Sequence, residues 1–205
     1  MSADSQSARE DLAFMRALAG GSDDWLLTFG ESYFAAGLIY GAQMLLHAAQ
    51  LFGWLPTTGL WPLVVGLGPT IVFLAVLTWI LWRRRAIRPS TVGRSLGAVF
   101  GSVGLANLAL VAVIGSVAWR ERSLTTWLIY PCAVLVMQGA AWMVSYVIRR
   151  RGWLALVSAG WIVCGVAMAL VVQSIGYYIL IAGLGFLLCM ALPGWVMIRL
   201  GRRAD

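Results

Sequence analysis

Lysine is absent from this 205-residue chain, so all fifteen of its basic residues are arginine. That absence excludes Schiff-base chemistry on a lysine amine and the phosphate-binding lysine of a Walker-A loop. Charge of either sign is scarce: 11% of residues are charged, against about 25% in a typical soluble domain. Histidine occurs once, at His47, and the three cysteines (Cys132, Cys164 and Cys189) lie in apolar stretches without C-x-x-C spacing. Such cysteines read as buried thiols rather than as a disulfide framework or a metal set. A single histidine without a carboxylate or thiolate partner is poor metal chemistry, and the residues identify no cofactor.

Carboxylates are missing where catalysis would need them. Glu31 and Glu121 flank apolar stretches and none lies inside one, so acid–base pairs and hydrolytic metal sites lack their ligands. Ser102, in the glycine-rich FGSVG, has no base: it and His47 are expected about three helical turns apart in depth. The residues therefore point away from an enzyme.

Long apolar runs are abundant. Hydrophobic residues make up 61% of the chain and the mean hydropathy is +0.85. Apolar windows long enough to cross a bilayer fall near 32–53, 62–82, 95–118, 126–148, 153–173 and 176–198. The expected fold is all-α: a polytopic membrane protein with a six-transmembrane-helix bundle and a short cytoplasmic amphipathic N-terminal helix. It divides into an acidic arm (1–24), the bundle (25–198) and a basic tail (199–205). The N-terminus is polar and acidic, so no signal peptide is expected.

Arginine placement sets the expected orientation. Thirteen of the fifteen fall before the first window, between windows two and three or four and five, or after the last. Only Arg120 and Arg122 fall on the other side. The positive-inside rule then puts both termini in the cytoplasm, and all-arginine usage fits a GC-rich bacterium, hence its inner membrane. The formal charge of +7 sits on connecting loops, which argues against direct nucleic-acid binding. Trp54, Trp61, Trp119 and Trp127 mark one interface and Trp25, Trp82, Trp153 and Trp195 the other.

The arm reads as a helix with both ends specified. Ser7 and Glu10 fit a capping box, and Gly20 and Gly21 fit a helix stop. Leu12, Met15 and Leu18 follow one face. Residues 1–31 carry a net charge of −4 and the remainder +11, so the arm is drawn to arginine loops rather than to anionic lipid. Two readings stay open: it folds back beneath the bundle, or it docks a cytoplasmic protein partner. Either would use Leu12, Met15 and Leu18 with Arg83, Arg84, Arg85, Arg149, Arg150 and Arg151.

Inside the bilayer, Tyr33, Tyr40, Gln43, His47 and Gln50 recur along one stripe of the first helix. Hydrocarbon penalises such a stripe, so it should face the bundle. Gln43, Asn107 and Gln138 are expected at one depth. They serve either as interhelical glue at about 0.6 kcal/mol per contact or as a midplane binding site. Tyr40, Gln43, His47, Gln50, Asn107 and Gln138 form that candidate ligand site. Gly97, Gly101 and Gly104 mark the third span as a central packing helix. Two functions are compatible with these features: a ligand- or lipid-binding regulatory sensor signalling through its arm, or a homo-oligomeric small-solute transporter or channel.

Overall fold

The computed structural model describes the backbone of residues 3–85 and 91–202, and side chains within 26–85 and 93–202. Among these residues every element is helical: α1 Ala3–Leu51, α2 Trp61–Arg83, α3 Thr91–Glu121, α4 Leu124–Arg149, α5 Gly152–Leu170, α6 Ile175–Phe186 and α7 Leu192–Gly201. A π-helical turn, Leu187–Ala191, joins α6 to α7 into one apolar rod. Five helices are long and apolar enough to cross a membrane: Trp61–Arg83, Gly93–Glu121, Leu124–Arg149, Gly152–Leu170 and Ile175–Gly201. The window at 32–53 is helical as far as Leu51 but stands outside this set, because Gln43, His47 and Gln50 dilute its apolar character.

The surfaces of these rods suit lipid. Leu156 is 75% exposed, Leu108 70% and Ile71 66%. Apolar exposure on this scale along every rod is untenable for a water-soluble monomer and ordinary for helices facing acyl chains.

One expected break does not occur. The sequence separates an N-terminal arm from the first span, whereas α1 runs unbroken for 49 residues. Gly20 and Gly21 do not stop it, and Ser7 lies inside the helix rather than at its cap. Glycine within a helix costs about 1 kcal/mol relative to alanine, which good helix formers on either side can absorb. At 1.5 Å per residue α1 is about 74 Å long, more than twice the roughly 30 Å of a hydrocarbon core. A continuous rod does not fold back, so the docked arm is replaced by an extension of α1. The side chains of Leu12, Met15 and Leu18 lie outside the described residues.

Packing departs from expectation as well. A Cβ on Gly97, Gly101 or Gly104 would meet nothing within 4 Å. α3 is therefore peripheral on that face, not the central packing helix. Close approach occurs instead between α1 and the final rod. A Cβ on Gly37 would collide with the Ala191 backbone, and one on Gly194 with the backbone of Phe34. The most extensive pairing joins α4 to α5, where the fully buried Ser158 donates its hydroxyl to Gly139 O at 2.7 Å.

Candidate functional site

The first helix distributes its polar groups among several neighbours. Tyr33, 5% exposed, accepts indole N–H bonds from Trp142 of α4 at 2.8 Å and Trp161 of α5 at 3.0 Å. The Gln138 amide approaches the same oxygen at 3.5 Å. Around it Phe29 stacks on Tyr33 at 5.3 Å, Phe100 of α3 lies 5.3 Å from Trp142, and Phe186 of α6 lies 5.9 Å from Trp161. One hydroxyl thus anchors an aromatic cluster drawn from α1, α3, α4, α5 and α6. The sequence gives a signal for this: Trp142 and Trp161 lie away from the interfaces, and a buried indole needs an acceptor. Which acceptor the two indoles share is not readable from their spacing.

About two to three turns further along, the stripe faces α2. Tyr40 packs on Phe73, with ring centroids 5.2 Å apart. Gln43, 7% exposed, donates from Nε2 to Val65 O and Gly66 O, each at 3.0 Å. The reason lies four residues beyond Val65. Pro69, inside α2, has no N–H to give to the Val65 carbonyl, and the Gln43 amide supplies the missing donor. At the end of α1, His47 Nδ1 and Gln50 Oε1 are 3.2 Å apart, and Gln50 Nε2 donates to Pro56 O at 3.0 Å. Asn107 Oδ1 is buried with no hydrogen-bond partner among the described residues.

The six candidate ligand residues therefore occupy several places. Gln138 is at the Tyr33 cluster, Tyr40 and Gln43 pack against α2, His47 and Gln50 close the α1–α2 connection, and Asn107 is on α3. The cavities described below are lined by other residues.

At the arginine-rich end, Glu31 makes a bidentate bond to Arg84, at 2.9 and 3.1 Å, and a 2.7 Å bond to Arg83. Partial burial pushes the Glu31 carboxyl up, but the Arg84 and Arg83 guanidiniums outweigh it and hold it below the usual carboxylate value. Arg83 also lies over Trp79, Arg85 over Trp82 and Arg199 over Trp195, at 4.5, 5.4 and 3.6 Å from the ring centroids. Arg150 ends α4 in the left-handed region at φ 53° and Arg151 precedes α5. Arg149 and Arg151 border a void of about 10 Å³ beside Trp142 and Trp153, the scale of one water. Of the nine residues expected to meet a partner, the six arginines thus all stand at this end of the helices.

At the opposite end the chain forms a larger space. A groove of about 670 Å³ lies between the end of α3 and the start of α4, walled by Trp119, Leu124 and Trp127 and bordered by Arg122. The sequence gives no sign of it, since Trp119 and Trp127 read there only as interface markers. Among the described residues no cluster of three or more His, Cys, Asp or Glu could hold a metal ion. Comparison of the chain with protein-family models, curated proteins and solved structures finds no match.

Proposed function

We propose that the chain is a non-enzymatic six-span protein of a bacterial inner membrane, with both termini cytoplasmic, acting as a ligand- or lipid-binding regulatory module. Its helices would report their state to a cytoplasmic protein through the N-terminal extension and the arginine loops. The observation that carries this reading is the continuity of α1. One rod holds the acidic arm, the Glu31 latch to Arg83 and Arg84, the Tyr33 cluster and the Gln43 bond to α2. A shift of any neighbouring helix against α1 would move the arm with it, because an unbroken helix transmits displacement along its length.

Deleting residues 1–21 tests the role of the arm. Cross-linking in native membranes should then lose a cytoplasmic protein that the full chain captures, while the thermal midpoint of the remaining helices stays unchanged. Identical cross-linked products from both chains would remove the signalling role.

The second reading, a homo-oligomeric solute pathway, is favoured by one observation: the orphaned Asn107 Oδ1. A buried carbonyl oxygen without a donor costs about 1–3 kcal/mol and marks a place where a further group belongs. Reconstituted flux that disappears in Asn107→Leu would put transport ahead of signalling.

A further inference from the structure

We infer that the α3–α4 groove is a binding site for an anionic phospholipid, with the headgroup phosphate on Arg122 and an acyl chain descending between Trp119 and Trp127. Three observations bear on it. The volume, about 670 Å³, falls in the range of ligand-sized pockets, roughly 300–1,000 Å³. Its walls are apolar and aromatic and include Gly115, where a Cβ would stand 3.3 Å from Trp127 Cζ3. Leaving out that Cβ lets the Trp127 ring lie against α3.

Charge selects the occupant. Among the described residues both ion pairs belong to Glu31, so Arg122 has none. The charges next to it are engaged elsewhere: Arg120 Nε donates to Ser116 O at 3.2 Å, and Glu121 accepts the Thr126 hydroxyl at 2.9 Å. A guanidinium presents a planar fork of donors that matches phosphate oxygens. Beneath it, indoles at headgroup depth prefer the boundary between chain and glycerol. The groove of about 220 Å³ beside Leu188 and Leu192 lacks any charged lining residue and offers nothing to choose one headgroup over another. Lipid capture at Arg122 needs only the bilayer setting and is independent of any role for the arm.

The full chain in nanodiscs of phosphatidylcholine doped with phosphatidylglycerol provides the test, read by native mass spectrometry of retained lipid. Wild type should hold phosphatidylglycerol in preference to phosphatidylcholine. Arg122→Gln should weaken that retention about tenfold, and Arg122→Lys should restore part of it. Gly115→Leu keeps the guanidinium but fills the groove, so it should lose the lipid as well; equal thermal midpoints establish that each variant is folded. Bromine-labelled phosphatidylglycerol should quench indole fluorescence less in Trp119→Phe than in wild type. Undiminished retention by folded Arg122→Gln or Gly115→Leu would overturn the assignment. So would release of the lipid by inorganic phosphate, which would mark a site for the free anion instead.

Discussion

A tyrosine hydroxyl offers two lone pairs, and at Tyr33 indole donors from two different helices lie within 3.0 Å of that oxygen. Removing it leaves two buried N–H groups with no acceptor, each costing about 1–3 kcal/mol. Tyr33→Phe is therefore expected to lower the unfolding free energy by about 3 kcal/mol, while Gln138→Leu, whose bond is long at 3.5 Å, costs less than about 1 kcal/mol. Denaturation of detergent-solubilised protein, followed by tryptophan fluorescence, separates the two. Equal losses would mean that the hydroxyl is not the anchor. The depth of Trp142 and Trp161 was legible from their positions within apolar windows. Their common partner was not, because helical spacing says which residues share a face and not which neighbour that face meets.

At the scale of elements, two of the contacts that α1 makes each give a separate expectation. Its approach to the final rod depends on Gly37, where any side chain strikes the Ala191 backbone. Gly37→Leu should destabilise by about 3 kcal/mol or prevent folding, as overpacking against backbone does. Gly101→Leu, which faces open space, should stay within about 0.5 kcal/mol. A reversed order in thermal midpoints would restore α3 to the centre. The Glu31 latch adds a pH dependence with a defined sign. Because its folded value lies below the ordinary 4.5, the latch stabilises fully above that pH. That contribution is lost as pH falls through the depressed folded value. Wild type should thus lose more thermal stability than Glu31→Gln between neutral pH and about pH 3. Parallel pH curves would show that the latch contributes nothing, as many exposed ion pairs do.

For the molecule as a whole, the decisive property is which way the rods thread the bilayer. With Cys132, Cys164 and Cys189 replaced by alanine, single cysteines at Arg85 and Arg122 report opposite ends. A membrane-impermeant maleimide should label Arg122→Cys from outside and Arg85→Cys only after permeabilisation. Labelling of Arg85→Cys in intact cells would invert the topology and move the α3–α4 groove to the other leaflet. The arginine bias that motivates this expectation is a bulk property of the loops, which is why it can be read without knowing a single tertiary contact.

The amino-acid order alone settled the number of apolar rods from α2 onward and their approximate places, because spans follow local hydropathy. The ends differ by several residues, as at α3, which runs Thr91–Glu121. The start of α4 shows a side-chain cap in the structure: Ser123 accepts the Thr126 N–H at 3.1 Å. Which faces meet was decided only by the folded arrangement. Helices apolar all round have no polar side to tell one face from another, so small residues are free to face lipid, as Gly97, Gly101 and Gly104 do, or to admit another backbone, as Gly37 and Gly194 do. For the same reason the polar stripe of α1, continuous along the chain, divides in space. Tyr33 takes the indoles of α4 and α5, Gln43 turns to the carbonyl freed by Pro69, and Gln50 turns to the Pro56 carbonyl.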